Sequence, residues 1–245
     1  MTDLFTSPLF YFFITVAFYF LFAFLQKKFK SPLLNPLLWT IVFVIAYIIL
    51  LTLIINGNVE NQNISEQVDK YKSACNIFDI LLGPVTVSLA LPLYINRHVI
   101  KENWLAIIAA TVVGVSSSLL SVWGLSALLG LEKDIMFSLF PRGVTTAIAT
   151  EITNILGANM YTSLTVTVVA LTGVVGASIG PLLIKLFNDK DDAVVGLSLG
   201  SASHAIGTSK AFDYSSKAGA IATVSIITNG LLTVLVAIII NLIVH

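Results

Sequence analysis

Phe137-Ser138-Leu139-Phe140-Pro141-Arg142-Gly143-Val144-Thr145-Thr146-Ala147-Ile148-Ala149-Thr150-Glu151-Ile152 decides how this chain is read. It is too apolar for a soluble loop, yet a proline, a glycine, three threonines and two charges interrupt it too often for a helix facing lipid. Around it lies a chain built for the bilayer. Of the 245 residues 57% are hydrophobic and only 11% charged, with a mean hydropathy of +0.95, whereas a soluble domain carries about 25% charged residues. A spanning helix takes roughly 20 apolar residues, so the length holds about eight membrane elements and leaves no room for a separate soluble domain. In hydrocarbon every backbone group needs a partner, and broken backbone survives only where it is buried in protein or lines a wet cavity.

The plain spans are easily marked. Leu9 to Leu25 and Pro36 to Ile55 are joined by Gln26-Lys27-Lys28-Phe29-Lys30, a basic loop expected in the cytoplasm, with the N-terminus then outside. Met1-Thr2-Asp3 offers no basic region of a signal peptide, so the first apolar run is expected to stay as a span. The polar stretch Asn56 to Ser73 reads as an outer loop; the sequon Asn63-Ile64-Ser65 within it carries no weight. Further spans are expected from Trp104 to Leu129, Thr162 to Phe187 and Ala218 to Ile243, with Arg97, His98 and Lys101 on the inner side. Trp39, Trp104 and the aromatic-rich first span read as interface anchors and lipid contact.

Between these spans lie three interrupted segments. Ile77 to Pro92 is broken by Gly83-Pro84 and by Pro92, and is expected to be a discontinuous helix. The Pro141 segment is the second, and Gly196 to Lys210, rich in glycine and serine around His204, is the third. The expected organisation is a single transmembrane domain: a first half, residues 1–134, with a broken segment at 77–94, and a second half, residues 135–245, with broken segments at 137–157 and 194–212. Gly83 to Leu129 and Gly196 to Ile243 share a plan, a break before a basic loop and a long apolar helix, which points to an internal repeat. If Lys185 and Lys190 also lie inside, the Pro141 segment is re-entrant and the repeat is inverted. The predicted fold class is an all-α integral membrane protein, a multi-pass helical bundle with discontinuous or re-entrant helices.

Breaks of this kind expose half-helix N-termini, whose unpaired N–H groups suit an anion. The candidate substrate-binding residues are Arg142, Thr145, Thr146, Ser203, His204, Gly207 and Thr208, together with Gly83, Pro84 and Thr86. Each also has a plainer reading. A proline can simply kink a packed helix, Arg142 can snorkel to the interface, threonines can bond their own helix carbonyls, and His204 can be satisfied by neighbouring helices. A charge at mid-membrane costs about 2.5–3.5 kcal/mol on insertion scales, so Arg142 and Glu151 invite a role: a clamp for a carboxylate, and a carrier of a coupling proton. Ser88 and Ser201 add hydroxyls, or serve close helix packing, and Asp79 caps a half-helix or sits at the interface.

Several classes are disfavoured. Thirteen basic residues balance thirteen acidic ones, which gives no electrostatic footprint for nucleic acid. Cys75 has no partner for an internal disulfide, and His98, His204 and His245 lack metal-ligand spacing, so neither metal nor cofactor is expected. There is no His-Glu-x-x-His or Gly-x-Ser-x-Gly motif, and Ser203 and His204, adjacent on a helix, diverge by about a third of a turn and make no dyad. An enzyme is therefore not expected.

The same segments resemble the LrgB/CidB family of bacterial membrane proteins over nearly the whole chain. Leu82-Gly83-Pro84-Val85-Thr86-Val87-Ser88-Leu89-Ala90-Leu91-Pro92-Leu93-Tyr94 is similar to the family's LGPATVALAVPLY stretch. Leu139 to Ala149 is similar to its PKSVTTPIA stretch, and Gly196 to Ala211 to its GLALGTAAHGIGTARA stretch. At Arg142, Gly143 and Ala147 the common pattern has Lys, Ser and Pro; the charge survives and one break is softened. The resemblance implies a bacterial cytoplasmic membrane and one of two functions. One is transport of small hydroxy- or keto-monocarboxylates such as pyruvate, lactate or glycolate, as in related carriers including the plastid glycolate/glycerate translocator. The other is antiholin- or holin-like control of murein hydrolases and lysis. It also implies a small membrane partner of the LrgA/CidA type, and Gly176 with Gly180 offers a surface for a homodimer or for contacts within one subunit.

Overall fold

A computed structural model describes residues 6–29, 34–57, 60–88, 90–188 and 191–244. Lys30, Lys190 and His245 lie outside these. Among the described residues the chain is helical with no strand, and five helices are long and apolar enough to cross a membrane: Pro8–Phe29, Pro36–Asn56, Trp104–Leu129, Asn159–Phe187 and Ser216–Ile243. These are the five plain spans read from the sequence, each within a few residues of its expected ends. The chain is an all-α multi-pass membrane protein. It divides into two compact units, Met1–Ser88 and Leu89–His245.

The first unit holds α1 (Pro8–Phe29), α2 (Pro36–Asn56) and α3 (Asn61–Ser88). Asn35 caps α2 by accepting from the N–H groups of Leu37 and Leu38, Pro36 fills the first turn where its missing donor costs nothing, and Gly57 ends the helix at φ 70°. Fully buried Tyr11 donates from its hydroxyl to Gln67 Oε1 at 2.8 Å, and its ring meets Tyr47 and Tyr71 edge-on. That contact explains one correction. The polar stretch Asn56 to Ser73 is not an outer loop: from Asn61 it is the first half of α3, with Gln67 turned into the bundle and Glu66 paired with Lys70 one turn on.

Gly83-Pro84 brings a second correction, because α3 runs through both residues to Ser88 and α4 (Ala90–Ile95) follows, Leu89 lying outside the described residues. A proline inside a helix removes one hydrogen bond and pushes on the preceding turn, which kinks a helix as often as it ends one. Among the described residues nothing lies within 4 Å of a Cβ at Gly83. Pro92 sits in the first turn of α4, where proline is tolerated.

In the second unit α5 (Arg97–Glu102) and α6 (Trp104–Leu129) lead to α7 (Lys133–Leu139), a 3₁₀ turn over Phe140–Gly143, and α8 (Thr146–Ile155). Then come α9 (Thr162–Phe187), α10 (Asp192–Tyr214) and α11 (Ser216–Val244). The Pro141 segment folds back on itself. Tyr161, after α8, donates to Glu132, before α7, at 3.4 Å, and Thr165 on α9 reaches both Ser138 O (2.9 Å) and Thr153 Oγ1 (2.8 Å). α10 does the same. Its backbone leaves helical geometry at Ser203 (φ −140°, ψ 16°) and His204 (φ 39°, ψ −129°), and Ser215 donates to Asp192 across the open end.

Small residues let this second hairpin close. A Cβ at Gly207 would overlap the Leu199 carbonyl of the opposite limb, and one at Gly200 would come within 2.6 Å of Ala222 O on α11. Asn96 Nδ2 meets Ser216 Oγ at 3.2 Å and Thr111 meets Thr228 at 2.8 Å, so α6 and α11 run side by side in the same direction. α9 runs the other way, from the mouth of the first hairpin to that of the second. Val122, Phe137, Phe140, Ile152 and Val169 form the core between the first hairpin and the spans.

Candidate functional site

Within the second unit the tips of the two hairpins meet. Ser201 O lies 4.0 Å from where a Gly143 Cβ would stand. Beside this meeting point is a cavity of about 560 Å³, walled by Ser117, Ser118 and Ser121 of α6, Arg142 and Gly143 of the 3₁₀ turn, Thr172 and Gly176 of α9, and Ser198, Ser201 and Ala202 of α10. The volume falls in the range of small-molecule sites.

Arg142 supplies the charge. Its Nε donates to Ser118 Oγ at 3.3 Å and its Nη2 to Ser121 Oγ at 2.8 Å, the two serines standing one turn apart on one face of α6. Ordinarily a guanidinium taken from water is matched by a carboxylate. Here, among the described residues, the ion pairs involve Lys70, Lys72 and Lys210, and Arg142 rests on neutral hydroxyls. Its planar fork of five donors thus keeps capacity for a carboxylate.

Of the polar groups singled out in the sequence as possible ligands, Arg142 and Ser201 line this cavity. Ser203, His204, Gly207 and Thr208 are buried in the hairpin's own packing instead. His204 turns its ring to α9, with Nε2 3.0 Å from Val169 O, and Gly173 is the residue that admits it: a Cβ there would stand 2.5 Å from Cε1. Ser203 Oγ presses on Gly176. These four were read as ligand groups because a histidine among small residues suggests a site, yet close limb packing requires the same composition. Thr145 precedes α8 and is half-buried, Thr146 is exposed, and neither lines the cavity.

Glu151 is exposed on α8 and also lies outside the cavity wall. Gly83 and Pro84 belong to α3 in the other unit, and the side chains of Asp79 and Thr86 are outside what is described. Sequence reading missed Ser117, Ser118, Ser121, Thr172 and Ser198. The available signal was the Ser116-Ser117-Ser118 run with Ser121 a turn later, an unusual hydroxyl density in a span otherwise apolar.

Comparison with known proteins gives consistent matches. A family model described as the LrgB-like family matches residues 15–242. The chain is 29% identical over 220 residues to Holin-like protein CidB of Staphylococcus aureus, covering 90% of each chain. It is 37% identical over 145 residues to the uncharacterized protein YxaC of Bacillus subtilis, spanning 59% of this chain and 62% of that one. With YwbG of the same organism it is 34% identical over 169 residues, 69% of this chain and 74% of that protein. No solved structure matches.

Proposed function

The chain belongs to the LrgB-like family of bacterial cell-membrane proteins, and from that premise we propose that it carries small organic anions, hydroxy- or keto-monocarboxylates such as pyruvate, lactate or glycolate, across the membrane. One observation carries the reading: Arg142 stands in a hydroxyl-lined cavity at the meeting point of two hairpin tips, held by Ser118 and Ser121 rather than by an acid. A single guanidinium binds one carboxylate bidentately, and surrounding serines and Thr172 suit a substrate that also bears a hydroxyl or carbonyl oxygen. A dianion would bring a second charge to a wall with no second cation.

The arrangement also suits alternating access. The stretches 133–187 and 192–244 each consist of a hairpin followed by a span and run in opposite directions, and we read these, rather than the stretches beginning at Gly83 and Gly196, as an inverted pair closing on the site from either side. Arg97 and Lys101 on α5, Lys185 in the last turn of α9 and Lys217 in the first turn of α11 stand toward the end where the α10 hairpin opens, and by the positive-inside rule we read that end as cytoplasmic. Proton coupling through Glu151 finds no support in its exposed position. Partnership with a small LrgA/CidA-type protein, or with a second copy, is compatible with this unit.

The name of the CidB relatives, Holin-like protein, favours a second reading, a holin-like regulator of lysis. The two differ in what passes. Proteoliposomes holding the purified protein are expected to take up labelled pyruvate, lactate or glycolate while retaining a trapped kilodalton-sized dye; dye release without saturable acid uptake selects the holin-like reading.

A further inference from the structure

Behind the Arg142 cavity lies a second, much smaller one of about 30 Å³, lined by Ser118, Gly143, Ser201, Asn229 and Thr233 with apolar neighbours. It has room for one or two water-sized particles. Asn229 is 3% exposed, and its Oδ1 is buried with no hydrogen-bond partner among the described residues, an acceptor with a high cost if left unmatched. The other polar side chains in its lining, Ser118, Ser201 and Thr233, carry hydroxyls. Thr233 Oγ1 spends its proton on Asn229 O at 2.7 Å, Ser118 Oγ accepts from Arg142 Nε, and Ser201 Oγ pairs with Ser225 Oγ at 2.8 Å. Hydroxyl lone pairs and an amide oxygen from two helices, α6 and α11, and the tip of the α10 hairpin therefore converge on one small space.

We propose that this cavity, at Asn229, Thr233, Ser118 and Ser201, binds a desolvated Na+ and that the cation binds together with the anion held by Arg142. Neutral oxygens at a hairpin break are the donor set that coordinates alkali cations in membrane carriers. Ser118 sets the coupling, because its hydroxyl touches the guanidinium and also faces the small cavity. With the large cavity empty of anion, Arg142 repels a cation one hydroxyl away; an anion on Arg142 cancels that repulsion, and by reciprocity the cation raises affinity for the anion. The coupling rests on the carrier reading, whereas the cation cavity itself does not.

The test is retention of ²²Na+ by the purified full-length protein, with and without saturating pyruvate, lactate or glycolate, at constant ionic strength set by choline. Retention at least tenfold stronger with one of these acids is expected, together with loss of that retention in both Asn229→Ala and Thr233→Val and a folded protein by thermal melt. No retention under any condition, or undiminished retention in both variants, overturns the proposal. Retention indifferent to every acid keeps the cation cavity and overturns its coupling to the anion, while the carrier reading stands or falls on acid uptake by proteoliposomes.

Discussion

Ser215 Oγ donates a hydrogen bond to Asp192 Oδ1, although Asp192 is the first residue of the 23-residue α10 and Ser215 follows its last. At 1.5 Å per residue a straight helix of that length holds its ends about 35 Å apart. The contact makes α10 a hairpin, and Ser203 and His204 are where it turns. In a Cys75→Ser background, Asp192→Cys with Ser215→Cys is expected to form an intramolecular disulfide under mild oxidation, seen as a shift in gel mobility. Both positions are also expected to react with an impermeant maleimide from the same side of the membrane; labelling from opposite sides contradicts the hairpin.

Close packing gives the next expectation. Gly200→Ala places a methyl within 2.6 Å of Ala222 O and 2.8 Å of Ala222 Cα, backbone atoms that cannot step aside separately from α11. Overpacking of this kind costs about 1–3 kcal/mol. Gly124→Ala, with nothing within 4 Å, is the matched control. Thermal denaturation in detergent is expected to show a clear fall in midpoint for the first and little change for the second.

His204 separates a positioning role from a binding one. Its φ of 39° is a conformation that side chains rarely adopt, while its ring holds Val169 O at 3.0 Å. His204→Ala loses the hydrogen bond and keeps the strain; His204→Gly loses both. Strain at such a residue is worth about 1–3 kcal/mol, so the glycine variant is expected to melt above the alanine variant, with pyruvate affinity unchanged in whichever variant stays folded. A large loss of affinity in folded His204→Gly would return the ring to the ligand site.

Much of this was legible in the chain because the bilayer constrains it. An apolar run such as Trp104 to Leu129 has few alternatives to a span, and Arg142 beside Pro141 announces a break that must be sheltered by protein. The hidden parts turned on three-dimensional partners. Pro84 did not end α3, because a proline inside a helix can be carried as a kink, and composition alone does not tell that outcome from a break. Gln67 looked like loop until Tyr11, 56 positions away, gave its side chain a buried partner. Ser118 and Ser121 were passed over inside an apolar span, since serines there ordinarily bond their own helix, as Ser117 does to Gly114 O and Ser121 to Ser118 O, and only the position of the Arg142 fork shows that Ser118 and Ser121 also hold a guanidinium.

Arg142 is proposed as the anion-binding group, and direct calorimetric binding of pyruvate to the purified protein measures its contribution. Hydrogen bonds to a charged group contribute about 1.5–3 kcal/mol, so Arg142→Gln is expected to weaken binding about 10- to 150-fold, with Arg142→Lys in between because it keeps charge without the bidentate fork. Equal affinity in wild type and a folded Arg142→Gln protein would contradict the account.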